Sequence, residues 1–294
     1  MDWIKTLYPF SVYTLVVVVV GALLLLSVWS VMVGAVVAFA GWSGILRISP
    51  ILDFIQQYIP TTLHEYVSAN LHTSFPLHGD TSREGIYVWH PHGILITSMA
   101  YHTFHKSIPR MKAACHWAYT LVPFVRELMD RYGFINATYS EMKEALQHGS
   151  VSVAAGGMRE IWYAEPHTMK LNLARKKGIF RIALQTGKPL IPVLVYGENE
   201  LFEHIPFDFN TWLFETTGWF LPIPTWESVQ RWVALLQGHG SPVVSHIGEP
   251  VSCKQIEQPT EEDIAEVRET YIKALRELYA KTRPEGYAKD IEIL

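Results

Sequence analysis

Between Lys5 and Arg47 the chain has no Asp, Glu, Lys or Arg, an uncharged run of 41 residues with dense apolar stretches at 16–20, 23–26 and 31–39. Such a run is too long and too apolar to be one face of a core helix. Drawn out as a single helix it would reach about 60 Å, roughly twice the hydrocarbon thickness of a bilayer. The sequence therefore predicts that residues 1–47 form an N-terminal transmembrane or re-entrant helical hairpin, a re-entrant hairpin and two full spans both being open. Gly21, Ser27, Ser30 and Gly34 are candidate turn or close-packing positions, and Trp3, Tyr8, Tyr13, Trp29 and Trp42 suit the membrane interfaces. A secretory signal is the rival reading, but the run is several times longer than a usual apolar h-region and shows no clear cleavage site. A hairpin returns both flanks to one side, and Lys5 with Arg47 gives weak support for that side being cytosolic. Residues 48–294 then form one cytosol-facing domain.

Composition narrows the partners. With a formal charge of −4 and no Lys/Arg block, the chain lacks the electrostatic footprint of a nucleic-acid-binding protein, so no nucleic-acid partner is expected. Cys115 and Cys253 are the only cysteines, too few for a disulfide framework. They also lie far in sequence from the His-Pro-His-Gly segment at 90–93 and from each other, with no CxxC spacing, so no metal site is expected.

From Ile86 onward apolar strand-like runs alternate with helical patterns, which predicts an α/β fold. Strands are expected at 151–155, 190–196 and 243–247. Helices are expected at 141–147 and 178–186, closed by Gly149 and Gly187, and at 260–281, where Thr260 is the N-cap and Ile264, Val267, Tyr271, Leu275 and Leu278 form the apolar face. The aromatic stretch 200–240 has no clear pattern. It reads as core, as a lipid entrance or as a bilayer-facing surface.

Chemistry concentrates where apolar runs end. Tyr87-Val88-Trp89 is followed by His90-Pro91-His92-Gly93. Pro91 fixes its own φ and keeps His90 out of helical geometry, so two imidazoles project from a turn after a strand. Imidazole exchanges a proton near neutral pH, which makes His90 and His92 candidate general bases, the alternative being polar residues that cap a strand. Ala155-Gly156-Gly157-Met158-Arg159-Glu160 follows a second strand, and Arg175-Lys176-Lys177-Gly178-Ile179-Phe180-Arg181 leads to a third, which ends in Gly197-Glu198-Asn199-Glu200. In open α/β sheets the carboxyl ends of strands gather at one edge, so these loops are expected to converge.

In this order and spacing the blocks resemble the type 2 diacylglycerol acyltransferase family, which includes monoacylglycerol and wax-alcohol acyltransferases. Ile247-Gly248-Glu249-Pro250 and Pro259-Thr260 fit as well. Ile179 departs from the usual Gly-Phe pairing, and the N-terminal extension is rather short. The resemblance implies a glycerol-phosphate-acyltransferase-like mixed sheet with flanking helices. It also implies residence in the endoplasmic reticulum membrane or on lipid droplets, with acyl-CoA as co-substrate, no cofactor, and diacylglycerol or another lipid as acceptor. Homo-oligomers joined through the apolar segments are compatible with it.

The broader superfamily has an Asp five positions after its histidine, and here those positions hold Leu95 and Thr97. Another group must orient the ring. Glu160 is the first candidate, with Glu198 and Glu200 behind it. The proposed chemistry has His90 or His92 remove a hydroxyl proton so that the oxygen attacks the thioester carbonyl. Backbone at Gly93, Gly156 and Gly157 is available to the oxyanion. Arg159, Arg175, Lys176, Lys177 and Arg181 are candidates for the CoA phosphates, and Glu198, Asn199 and Glu200 for substrate contact. Competing readings are a lysophospholipid or glycerol-phosphate acyltransferase and a membrane-anchored lipid-binding or transfer protein. A serine hydrolase is disfavoured by the lack of a Gly-x-Ser-x-Gly elbow.

Overall fold

A computed structural model describes residues 71–94, 96–117, 125–203, 207–221 and 223–294, together with 30, 32–37, 47 and 50. The chain divides into two compact units, residues 1–57 with 118–128, and residues 58–117 with 129–294. Most of the hairpin expected at 1–47 lies outside the described residues. Within it, residues 32–37 are helical, with Met32, Val33 and Val36 exposed. Among the described residues no helix is long and apolar enough to cross a membrane.

The larger unit is mixed α/β, in line with the alternating pattern of the sequence. Its sheet comprises β1 (Leu77–His78), β2 (Ile86–His90), β3 (Met111–Cys115), β4 (Phe134–Asn136), β5 (Ser150–Val153), β7 (Leu190–Tyr196) and β8 (Val244–Ile247), in the order β1-β8-β7-β2-β5-β3-β4. Strands β7, β2, β5, β3 and β4 run parallel, β8 is antiparallel to β7, and β1 is parallel to β8. A second, two-stranded sheet pairs β6 (Lys170–Leu171) with β9 (Glu292–Ile293). Helices described from residue 97 onward are α1 (Thr97–Phe104), α2 (Val125–Tyr132), α3 (Tyr139–His148), α4 (Met158–Trp162), α5 (Gly178–Thr186), α6 (Glu198–Leu201), α7 (Asp208–Thr217), α8 (Trp226–Leu236) and α9 (Glu261–Thr282), the first turn of α2 belonging to the smaller unit.

Every residue of β2, β5 and β7 is buried, as expected of central strands covered on both faces. Side chains alternate across β2. Ile86 and Val88 pack with Phe180 and Ala183 of α5 and with Tyr271 and Leu275 of α9. Tyr87 and Trp89 pack on the opposite face with Met99 and Tyr101 of α1 and Leu201 of α6. The register sets His90 opposite Leu194 of β7 and Val88 opposite Val153 of β5. The loops after β2, β5 and β7 therefore leave the same edge of the sheet.

Candidate active site

The turn that leaves β2 carries His90, Pro91, His92 and Gly93, and its two rings occupy different environments. His90 continues the strand alternation onto the α9 face and is fully buried. Its Nε2 lies 3.1 Å from the Tyr271 hydroxyl of α9, and that hydroxyl is 3.4 Å from the Val88 carbonyl. Nδ1 of His90 is buried without a partner. His92 is half-buried. Its Nδ1 is 2.8 Å from the Gly93 carbonyl, which places the ring proton on Nδ1 and leaves the lone pair on Nε2.

Burial holds both rings neutral. It pushes His90 down to about 3, with the neighbouring His92 adding to the effect. It pushes His92 down to about 4, helped by the Lys176 charge and opposed by the Gly93 carbonyl.

Two buried carboxylates flank the turn, one bonded to its backbone and the other to the helix that follows it. Glu160 of α4, 1% exposed, accepts the His92 N–H at 2.6 Å and the Asn172 N–H at 2.8 Å. Glu198 of α6, equally buried, accepts from Thr97 N–H and Oγ1 at 2.7 Å and from Ser98 N–H at 3.2 Å. Glu198 thus caps the N-terminus of α1, where Ile96 itself supplies no side-chain cap.

The two motif glycines make room for these acids. A Cβ on Gly156 would overlap the Glu160 carboxylate, and one on Gly93, which has φ of +56°, would overlap the Glu198 side chain. Burial lifts Glu160 to about 7 against its two backbone donors and Lys176, and raises Glu198 as well. Lys176 is half-buried beside Gly157, and burial lowers its ammonium while Glu160 opposes the shift.

Several expected roles take a different form. Among the described residues no carboxylate oxygen meets either imidazole ring. Glu160 reaches the turn through the His92 main chain, and the group on the His90 ring is a phenol. Tyr271 was legible only as one position on the apolar face of α9, and Asn172, which also donates Nδ2 to the Gly156 carbonyl at 2.8 Å, had no sequence signal at all.

Asn199 faces the carbonyls of Glu165 and Thr168, and Glu200 accepts from the His167 N–H at 2.6 Å. Both tie a neighbouring loop. The basic block splits up: Lys177 and Arg181 pair with Glu261 at the start of α9, at 2.6 and 3.4 Å, and Arg159 lies over the Tyr163 ring. Arg175 is exposed. Lys176 is the cation of the block closest to the turn.

Sequence comparison places the chain among acyltransferases of known family. The 2-acylglycerol O-acyltransferase 1 of Mus musculus is 26% identical over 76% of this chain and 69% of its own length. The acyl-CoA wax alcohol acyltransferase 1 of Homo sapiens is 29% identical over 65% of this chain and 65% of its own length. The diacylglycerol O-acyltransferase 2 of Xenopus tropicalis is 29% identical over 62% of this chain and 56% of its own length. The chain thus spans about two thirds or less of the length of these relatives. The sequence model of the family described as Diacylglycerol acyltransferase matches residues 22–292. Blocks that are far apart in sequence and gathered at one sheet edge fall within that match, and the chain belongs to the diacylglycerol acyltransferase family.

Proposed function

We propose that this protein transfers a fatty acyl group from acyl-CoA to the hydroxyl of diacylglycerol, forming triacylglycerol, with His92 as the general base. The observation that carries the assignment is the His92 ring. It is half-buried, held neutral, and engaged through Nδ1 by the Gly93 carbonyl, so Nε2 presents its lone pair. His90, with Nε2 on Tyr271 and no exposed surface, is placed to support the turn.

In the proposed reaction His92 Nε2 takes the acceptor's hydroxyl proton as the oxygen adds to the thioester carbonyl carbon. The tetrahedral intermediate expels CoA with cleavage of the C–S bond, and the imidazolium returns its proton to the leaving thiolate. The thioester is already activated, so one neutral, positioned base is the main chemical need. Lys176 beside Gly157 offers a positive charge to the oxyanion or to the CoA phosphates.

Membrane association is part of the proposal. Exposed Phe209, Trp212, Trp219, Leu221 and Trp226 lie in or next to α7 and α8. Phe214 of α7 stacks on Trp162 of α4, with ring centroids 4.4 Å apart. Exposed indoles suit a membrane–water interface, as the uncharged N-terminal run suits the bilayer itself. An anchor at the endoplasmic reticulum membrane with residues 48–294 facing the cytosol brings the site to lipid substrates.

The relatives named for 2-acylglycerol and wax-alcohol acylation make those acceptors the second reading. The test is an assay of detergent-purified protein with radiolabelled acyl-CoA and each of diacylglycerol, monoacylglycerol and fatty alcohol. Labelled triacylglycerol with the wild type, and none with His92→Ala, is expected. Full activity in His92→Ala overturns the base assignment, and a product only with another acceptor transfers the function to that acceptor.

A further inference from the structure

We infer that Tyr271 of α9 is a positioning residue for the reaction, acting through the His90 ring to fix the turn that presents His92. The inference rests on the proposed acyl transfer for its kinetic consequence, while its geometry stands independently. Both side chains are fully buried, and the phenol is 3.1 Å from His90 Nε2 and 3.4 Å from the Val88 carbonyl. Phe180 of α5 packs against the Tyr271 ring at 5.8 Å between centroids, holding the phenol in place. Residues 90 and 271 are far apart in the chain, and this contact joins the last long helix to the end of β2.

The chain of contacts also selects a tautomer. When His90 donates from Nε2–H to the Tyr271 oxygen, the phenol proton is free for the Val88 carbonyl, and the atom left unpartnered is a bare Nδ1 lone pair. The opposite tautomer would bury an unpartnered N–H, which costs more. His90 therefore sits in one ring orientation and one protonation state. The charged and titratable groups acting on the pair are His92, on the His90 ring, and Glu160 of α4, on the Tyr271 phenol, while Lys176 before α5 acts on His92 and Glu160. Of these, Glu160 holds the His92 N–H, so the turn is fixed on one side by a carboxylate at the main chain and on the other by a phenol at a ring. Gripping both ends restrains His92, two residues from His90 and separated from it by Pro91.

Tyr271→Phe removes one oxygen and keeps the ring packing. The expected result is a fall in kcat of about tenfold to a hundredfold, the scale of a small misplacement of a catalytic group, measured per folded molecule, with KM for acyl-CoA close to wild type and Tm lowered because the buried His90 Nε2–H loses its acceptor. His90→Leu is expected to lower kcat to a similar extent, and the double variant to be no worse than His90→Leu alone, because the phenol acts only through that ring. A Tyr271→Phe effect of equal size in the His90→Leu background reveals ordinary core packing and overturns the inference, as does unchanged kcat in Tyr271→Phe.

Nitrogen NMR of [15N]histidine-labelled protein reads the pair without turnover. The His90 and His92 ring signals should both move in Tyr271→Phe, and His90 in the wild type should be protonated at Nε2. Unmoved His92 signals overturn the inference whatever the activity. If the wild type transfers no acyl group to any acceptor, the functional reading fails, and the NMR result still decides the coupling.

Discussion

At the residue scale, the two motif glycines are best understood through the acids that approach them. Gly-Gly-x-x-Glu looks in sequence like flexible backbone supplied for an oxyanion. In the structure the space beside Gly156 is taken by Glu160, and the space beside Gly93 by Glu198. Gly156→Ala is therefore expected to displace the Glu160 carboxylate from the His92 N–H and to cost about 1–3 kcal/mol, the usual range for overpacking a filled site, with near-complete loss of acyl transfer. Chemical denaturation and the acyl-transfer assay check both effects. The steric origin has its own signature: adding Glu160→Ala to Gly156→Ala should cost less stability than the two single effects combined, while activity stays lost. Strictly additive costs would show that the glycine is needed for another reason. Both glycines were legible as special positions from sequence. Glu160 stands in the same block as Gly156, but the carboxylate beside Gly93 was not legible, because the Gly93–Glu198 contact spans more than a hundred residues and only the sheet register brings it about.

At the element scale, helices with strong end signals were the legible ones. Thr260 accepts from the Asp263 N–H while the Asp263 side chain accepts from Thr260, a capping box that starts α9 where the sequence places it. Gly149 and Gly187 close α3 and α5 as expected. Strands of two residues such as β1, β6 and β9 have too few positions for any periodicity and were invisible.

Helix α1 falls between these cases, since its cap comes from α6 rather than from its own sequence. Glu198, expected as a substrate contact, meets the three donors at the α1 N-terminus. Glu198→Ala would leave buried N–H groups unpaired, at about 1–3 kcal/mol. It should lower Tm and leave KM for acyl-CoA and for the lipid acceptor unchanged. A raised KM at unchanged Tm would return Glu198 to the substrate site. Thr260→Ala should cost about 1 kcal/mol through its cap alone, measured by urea denaturation. Any loss of kcat beyond the unfolded fraction would indicate that α9 transmits strain to Tyr271.

At the scale of the whole molecule, the sequence blocks meet because parallel strands send their C-terminal ends to one edge, which is why the site was legible in outline before any contact was known. The same folding buries an unusual set of titratable groups, and this fixes how stability responds to pH. His90, His92 and His102 are pushed by burial from 6.5 to about 3, about 4 and about 4. Their folded values lie below the unfolded one, so the unfolded chain binds more protons between those limits and stability falls as pH drops below about 6.5. At about pH 5 each contributes a loss of about 2 kcal/mol relative to neutral pH. Glu160, raised from 4.5 to about 7, works in the opposite sense and returns about 2 kcal/mol over the same descent, and Glu198 acts in its direction. Three imidazoles outweigh Glu160, so Tm is expected to fall between about pH 7.5 and about pH 5. His102 isolates one share of the effect. It lies on α1 outside the turn, 1% exposed and stacked on Trp89, so His102→Phe keeps an aromatic ring there and removes a titrating one. Urea denaturation of this variant at both pH values should show the acid-induced loss reduced by about 2 kcal/mol relative to wild type. An identical loss in wild type and variant would mean that His102 takes up its proton without unfolding, and that the acid sensitivity resides in other groups such as His90 and His92.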